Sequence, residues 1–123
     1  MPRFPDDVLE ELRTGKYLRI RAGSGHKFIG IWMVVVERRL FVRSWSLKPR
    51  SWWRSFLEAP RGAILVNGRE VPVRAVQTRS ERLKDAVSGA YRAKYTTKAN
   101  LPYVEDMAQK KSRDTTTELV ALP

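Results

Sequence analysis

Twelve consecutive residues, Arg43-Ser44-Trp45-Ser46-Leu47-Lys48-Pro49-Arg50-Ser51-Trp52-Trp53-Arg54, gather three of the chain's four tryptophans with cations and hydroxyls. An indole presents a flat, polarisable face on which a planar ring can stack. An arginine fork, a lysine ammonium and serine hydroxyls together suit a phosphate. Ser51 stands where a helix is predicted to begin, so free backbone amides add to the same anion site. The residues expected to bind a ligand are therefore Arg43, Trp45, Ser46, Lys48, Arg50 and Ser51. Trp45 and Trp32 are the candidate walls of the site; Trp45 is the better one because Arg43, Ser44 and Ser46 flank it with polar neighbours, whereas Trp32 lies inside an apolar run and reads more simply as core.

Other chemistries have no support. The chain has no cysteine, which removes disulfides, thiol nucleophiles and thiolate metal sites. No Gly-x-Ser-x-Gly elbow, Walker loop or His/Asp/Glu cluster with metal spacing occurs. Gly23-Ser24-Gly25 precedes a strand instead of opening a helix, so it is not a dinucleotide fingerprint. His26, the only histidine, sits in that glycine-rich turn. It reads as a surface residue, with proton donation to a reduced substrate as the alternative. No catalytic residue is assigned.

Composition bounds the partners. Lys and Arg number 24 against 13 acids, a formal charge of +11, with a pI near 10.6. Such a field attracts polyanions, from nucleotides to nucleic acid. Asp6, Asp7, Glu10 and Glu11 concentrate acid near the start and leave the remainder more basic. The longest apolar run, Ile29 to Val36, is too short to span a bilayer, and the first residues lack the apolar stretch of a signal peptide. A single domain over 1–123, soluble and cytoplasmic, is the expectation.

The elements that must position the basic loop follow from periodicity. Asp6 is expected to cap a helix with Val8, Leu9 and Leu12 on one face, ended by Gly15. Tyr17 to Arg21 alternates as a half-buried strand, and Phe28 to Val36 reads as one central strand turned back by Glu37-Arg38-Arg39 into Leu40 to Ser44. Ser51 to Ala59 repeats Trp52, Trp53, Phe56 and Leu57 at helical spacing, the expected buried face of a short helix in the core or at a dimer contact. Ala63 to Val66 and Glu70 to Val76 flank Asn67-Gly68, a strong hairpin signal. Thr78-Arg79-Ser80-Glu81 has capping-box spacing and opens a helix striped by Leu83, Ala86, Val87, Ala90 and Tyr91. Tyr91 and Tyr95 with Arg92 and Lys94 are expected to form a basic-aromatic edge on it. A short helix over about Pro102 to Lys110 and a strand over about Thr115 to Leu122 complete the order. Without β-α-β alternation, this pattern points to a mainly β, α+β fold: a small antiparallel barrel with short helices on its rim.

Leu40-Phe41-Val42-Arg43, the polar-basic loop, Trp52 to Arg61 and the hairpin Gly62 to Ala75 together resemble the FMN-binding split barrels, with their pyridoxamine-phosphate-oxidase-like and deazaflavin-dependent nitroreductase-like branches. Ala90-Tyr91-Arg92-Ala93-Lys94-Tyr95 and the threonine-rich final strand resemble a small uncharacterised bacterial branch. The resemblance covers nearly the whole chain. It implies a six-stranded antiparallel split β-barrel and a homodimer, with FMN or a deazaflavin coenzyme at the subunit interface. The cofactor phosphate would fall to Ser46, Lys48, Arg50 and Ser51. The glycine-flanked phosphate loop of the nitroreductase-like members is replaced here by Gly23-Ser24-Gly25-His26-Lys27.

Three functions are compatible with these residues. One is a flavin- or deazaflavin-binding oxidoreductase, in which the cofactor ring carries the chemistry. The second is a cofactor-free dimeric barrel with a ligand-binding or unknown role. The third is a basic nucleic-acid-binding β-barrel, with weak, non-specific affinity expected because no recognised nucleic-acid motif is present.

Overall fold

The computed structural model describes residues 3–24, 27–45, 48 and 51–123. The elements run α1 (Asp6–Thr14), β1 (Leu18–Ala22), β2 (Ile29–Ile31), β3 (Val34–Val36), β4 (Arg39–Val42), α2 (Trp52–Glu58), β5 (Arg61–Val66), β6 (Arg69–Gln77), α3 (Glu81–Lys94), α4 (Leu101–Ala108), α5 (Lys110–Arg113) and β7 (Thr117–Ala121). The strands form a seven-stranded sheet in the order β2-β1-β5-β6-β7-β4-β3, with every pairing antiparallel.

That order forces the sheet to curl. Its two outermost strands, β2 and β3, are separated in sequence only by Trp32 and Met33. Three Cα steps reach about 11 Å at most, whereas seven flat strands would span about 29 Å. The edges must approach each other, and the sheet becomes a half-barrel. The expectation of one central strand over Phe28 to Val36 is thus overturned: the run breaks at Trp32-Met33, and its halves lie on opposite edges. Splitting it also makes seven strands where the resemblance implied six. Strand propensity marked the segment as extended but carried no information on the corner that divides it.

The inner face of the half-barrel holds one core, in which Leu18, Ile20, Leu40, Ile64, Val73 and Leu119 meet Val8 and Leu12 of α1 and Phe56 of α2. Gly62 is required there, because a Cβ would lie 2.9 Å from the Phe56 ring. A second core lies outside the sheet, where Val34 and Phe41 pack under Leu83, Val87 and Tyr91 of α3 and Val104 and Met107 of α4.

Local details sort the sequence expectations. Val8, Leu9 and Leu12 are buried as the spacing predicts, but Pro5 and not Asp6 occupies the cap of α1, without a side-chain bond. Asn67 and Gly68 turn the β5–β6 hairpin with φ of 52° and 73°. Ser80, not Thr78, caps α3, accepting from the Leu83 amide at 3.2 Å. Ser51 caps α2, accepting from Arg54 N at 3.3 Å. On α2, Phe56 is fully buried, Leu57 is exposed, and Trp53 donates through Nε1 to Gln77 Oε1 at 2.8 Å. The four-residue apolar face expected there is therefore mostly a partly exposed one.

Candidate functional site

The corner between β2 and β3 is pinned from α3. The Tyr95 hydroxyl accepts from the Met33 amide at 3.1 Å and lies within donating distance of Lys16 O, 2.9 Å, and Met33 O, 3.1 Å. Lys94 Nζ donates to Met33 O at 2.9 Å and Leu12 O at 3.1 Å, so one side chain also closes the last turn of α1. Burial pushes the Tyr95 hydroxyl up to about 12 and the Lys94 ammonium down to about 8, each toward its neutral form. Tyr91 is fully buried, and desolvation raises its hydroxyl as well. The expected basic-aromatic edge is therefore not a surface. Its tyrosines are buried and its Arg92 is paired with Glu105 at 3.1 Å.

With the corner fixed, Trp32 stacks on Tyr95 with centroids 4.2 Å apart and planes 7° from parallel. Tyr103 of α4 meets Trp32 edge-on at 6.5 Å and Trp45 at 5.9 Å. These rings form the walls of a groove of about 580 Å³. Tyr17, Ile29, Gly30, Trp52 and Met107 complete the lining, and Ser44, Lys48 and Ser51 supply polar positions. The volume falls in the range of small-molecule sites, apolar walls with few polar groups. No carboxylate occurs among the lining residues. Trp45, at 61% exposure, is open to a ligand, and Tyr17 and Tyr103 are exposed beside it.

The structure thus brings Arg43, Trp45, Lys48 and Ser51 to one groove. Ser46 and Arg50 of the expected set, and His26, lie outside the described residues. Trp32 combines its two readings: half-buried, it packs against the outer core and lines the groove. Arg43 is placed differently from its companions. It is 2% exposed, and its guanidinium donates to Thr116 Oγ1 at 2.9 Å, Ser88 Oγ at 2.8 Å, Met107 O at 2.9 Å and Lys84 O at 2.8 Å. Burial pulls it down to about 10, still cationic at neutral pH. Its donors are directed to protein acceptors on α3, on α4 and before β7, which fixes where the loop leaves the sheet.

Ser44 is held in the same way. Its amide donates to Thr115 Oγ1 at 2.8 Å, and its carbonyl accepts from Ser112 Oγ at 2.8 Å. Sequence reasoning missed these anchors, Ser88, Ser112, Thr115 and Thr116, and the wall residues Tyr17 and Tyr103. The run Thr115-Thr116-Thr117 carried a signal, since fully buried hydroxyls require partners. Tyr103 carried none, because only the packing of α4 brings it to Trp32 and Trp45.

Among the described residues no group of His, Asp and Glu is placed to hold a metal ion, and no helix is long and apolar enough to cross a membrane.

No curated protein matches the chain in sequence. Among solved structures, the fold is similar to the crystal structure of the conserved hypothetical protein Rv2991 from Mycobacterium tuberculosis. The TM-score is 0.56 at 12% identity, over all of this chain and 85% of that one. At that identity the likeness concerns the fold. In sequence, residues 9–119 match the model of a family described as "Uncharacterized protein conserved in bacteria (DUF2255)", and the chain belongs to that bacterial family.

Proposed function

We propose that the groove binds the ring of a flavin-type cofactor, FMN or a deazaflavin coenzyme, and that the protein is an oxidoreductase of the split-barrel type. The observation that carries this reading is an acid-free groove of about 580 Å³ with walls formed by Trp32, Trp45, Trp52, Tyr17 and Tyr103. A planar heterocycle gains offset stacking from such walls, and the absence of carboxylates suits a phosphorylated ligand. Lys48 and Ser51 are the described residues that would hold the phosphate. Bound there, the cofactor supplies the hydride chemistry. The chain's own part is to stack the ring, exclude water from it and keep the loop in place through Arg43 and Ser44.

A homodimer belongs to the same proposal. Tyr17, Ile29, Trp45 and Tyr103 form the mouth of the groove, and all are exposed hydrophobics. Beside them β2 is an outermost strand of the sheet, hydrogen-bonded among the described residues to β1 alone. A second copy would cover this surface and deepen the groove.

The absorption spectrum of the purified protein tests the reading, followed by titration with FMN and with a reduced deazaflavin coenzyme. A bound visible chromophore, or saturable quenching of tryptophan emission by either compound, is the expected result. Failure to bind either at high micromolar concentration overturns the oxidoreductase reading in favour of a cofactor-free barrel.

A further inference from the structure

The outer face of the sheet splits into two regions. Over β3 and β4 it is covered by α3 and α4, while α1 and α2 pack on the inner core. Over β1, β5, β6 and β7 no helix packs on the outer face among the described residues. Alternation and register place Arg19 and Arg21 of β1, Arg61 and Leu65 of β5, Pro72 and Arg74 of β6 and Val120 of β7 on this face.

Its arginines are arranged against the interest of the fold. Arg61 and Arg74 stand directly opposite each other on neighbouring strands, and like charges at such positions are destabilising. Eight described arginines are held in ion pairs. Among the described residues, Arg19, Arg61 and Arg74 make none. Only Arg21 on this face is paired, with Glu70 at 3.2 Å. The result is a strip of unneutralised guanidinium groups across three adjacent central strands.

We propose that this face binds a strand of nucleic acid through its phosphodiester backbone. Arg61 and Arg74 face each other across β5 and β6, and Arg19, opposite Leu65, lies four residues or about 13 Å further along the strands, so the three cations spread over a path long enough to meet more than one backbone phosphate. Among the described residues the large exposed hydrophobics, Tyr17, Ile29, Trp45, Leu57, Leu101 and Tyr103, all lie elsewhere, so the face offers little to insert into a bilayer. A second copy would bring the same cations against themselves. Backbone contact without a stacking platform gives affinity that is independent of base sequence and sensitive to salt. The proposal does not rest on the cofactor reading, since the groove and this face share no residue.

The test measures fluorescence anisotropy of a labelled oligo-dT strand at low ionic strength with three proteins: wild type, Arg61→Ala/Arg74→Ala, and the charge-matched control Lys98→Ala/Lys111→Ala. Wild type binds, and the arginine variant loses about tenfold in affinity. It also loses about 1.4 from its log–log salt slope, two contacts at about 0.7 each, while the control stays within about twofold. Arg61→Glu separates binding from folding, because it converts a repulsive cross-strand pair into an attractive one. Its thermal midpoint rises while oligo-dT binding falls. Four results overturn the proposal: no binding by wild type, equal losses in the control, a loss in Trp45→Ala as large as that in the arginine variant, or a changed sedimentation coefficient in place of changed binding. Retained binding to anionic phosphatidylglycerol vesicles with none to oligo-dT would assign the face to membrane instead.

Discussion

At the scale of the residue, the groove separates two kinds of cation that look alike in the sequence. Lys48 lines the groove from an exposed position, whereas Arg43 is buried among acceptors on α3, on α4 and at Thr116. The two should therefore respond differently to substitution. Lys48→Ala removes a charge-assisted donor, costing about 1.5–3 kcal/mol, or about 10- to 150-fold in FMN affinity, while lowering the melting temperature less than Arg43→Lys does. Isothermal titration beside a thermal melt checks both halves. Arg43→Lys cannot reproduce a planar fork reaching four acceptors and leaves buried oxygens unpaired. It should lower unfolding free energy by about 2–3 kcal/mol in urea denaturation, whether or not a ligand is present.

At the scale of the element, the two hairpin turns make an instructive pair. Both place two consecutive residues at positive φ, the geometry that matches the twist of the flanking strands. Asn67-Gly68 does so with residues that tolerate it, whereas Glu37 and Arg38 adopt φ of 53° and 62° with full side chains. Each left-handed position costs an ordinary residue about 1–2 kcal/mol. The β3–β4 turn persists because Arg82 holds Glu37 and Arg38 reaches Asp6, although exposed pairs contribute only about 0–1 kcal/mol each. Glu37→Asn with Arg38→Gly should consequently stabilise the protein by about 0.5–1.5 kcal/mol. The check is a higher urea midpoint at unchanged slope.

At the scale of the whole molecule, the half-barrel is fastened where its edges meet, and that fastening is titratable. Burial pulls Lys94 down to about 8 in the folded chain, against an ordinary 10.5, so it keeps its proton only up to about pH 8. Between those pH values the unfolded chain holds a proton that the native chain has released, so unfolding free energy rises with pH through that window. Compared with Lys94→Met, wild type should therefore gain stability between pH 8 and 10.5, with no relative change from pH 6 to 7. Thermal melts of both proteins across that range check the sign. Association is the other property of the assembled molecule. Sedimentation should show a dimer at micromolar concentration, and Tyr17→Ser/Ile29→Ser should shift it toward monomer because both exposed side chains line the groove beside the outermost strand β2.

What the sequence determined by itself was whatever depends on neighbours along the chain. The Asn67-Gly68 hairpin, the buried stripe of α3 and the helix opened by Ser51 each follow from residues within one or two turns of one another. So did the gathering of Trp45, Lys48 and Ser51, because one loop carries all three. The tertiary structure decided what depends on closure. Phe28 to Val36 is extended by local preference, yet only the meeting of the sheet's two edges divides it at Trp32-Met33. Arg43 resembles its loop neighbours until α3, α4 and the threonine run supply its four acceptors. Tyr103 joins the groove only because α4 packs over β4 and brings it to Trp45 and Trp32, 58 and 71 residues earlier in the chain. Hydrogen-bond partners and stacking faces are relations across space, and no local pattern encodes them.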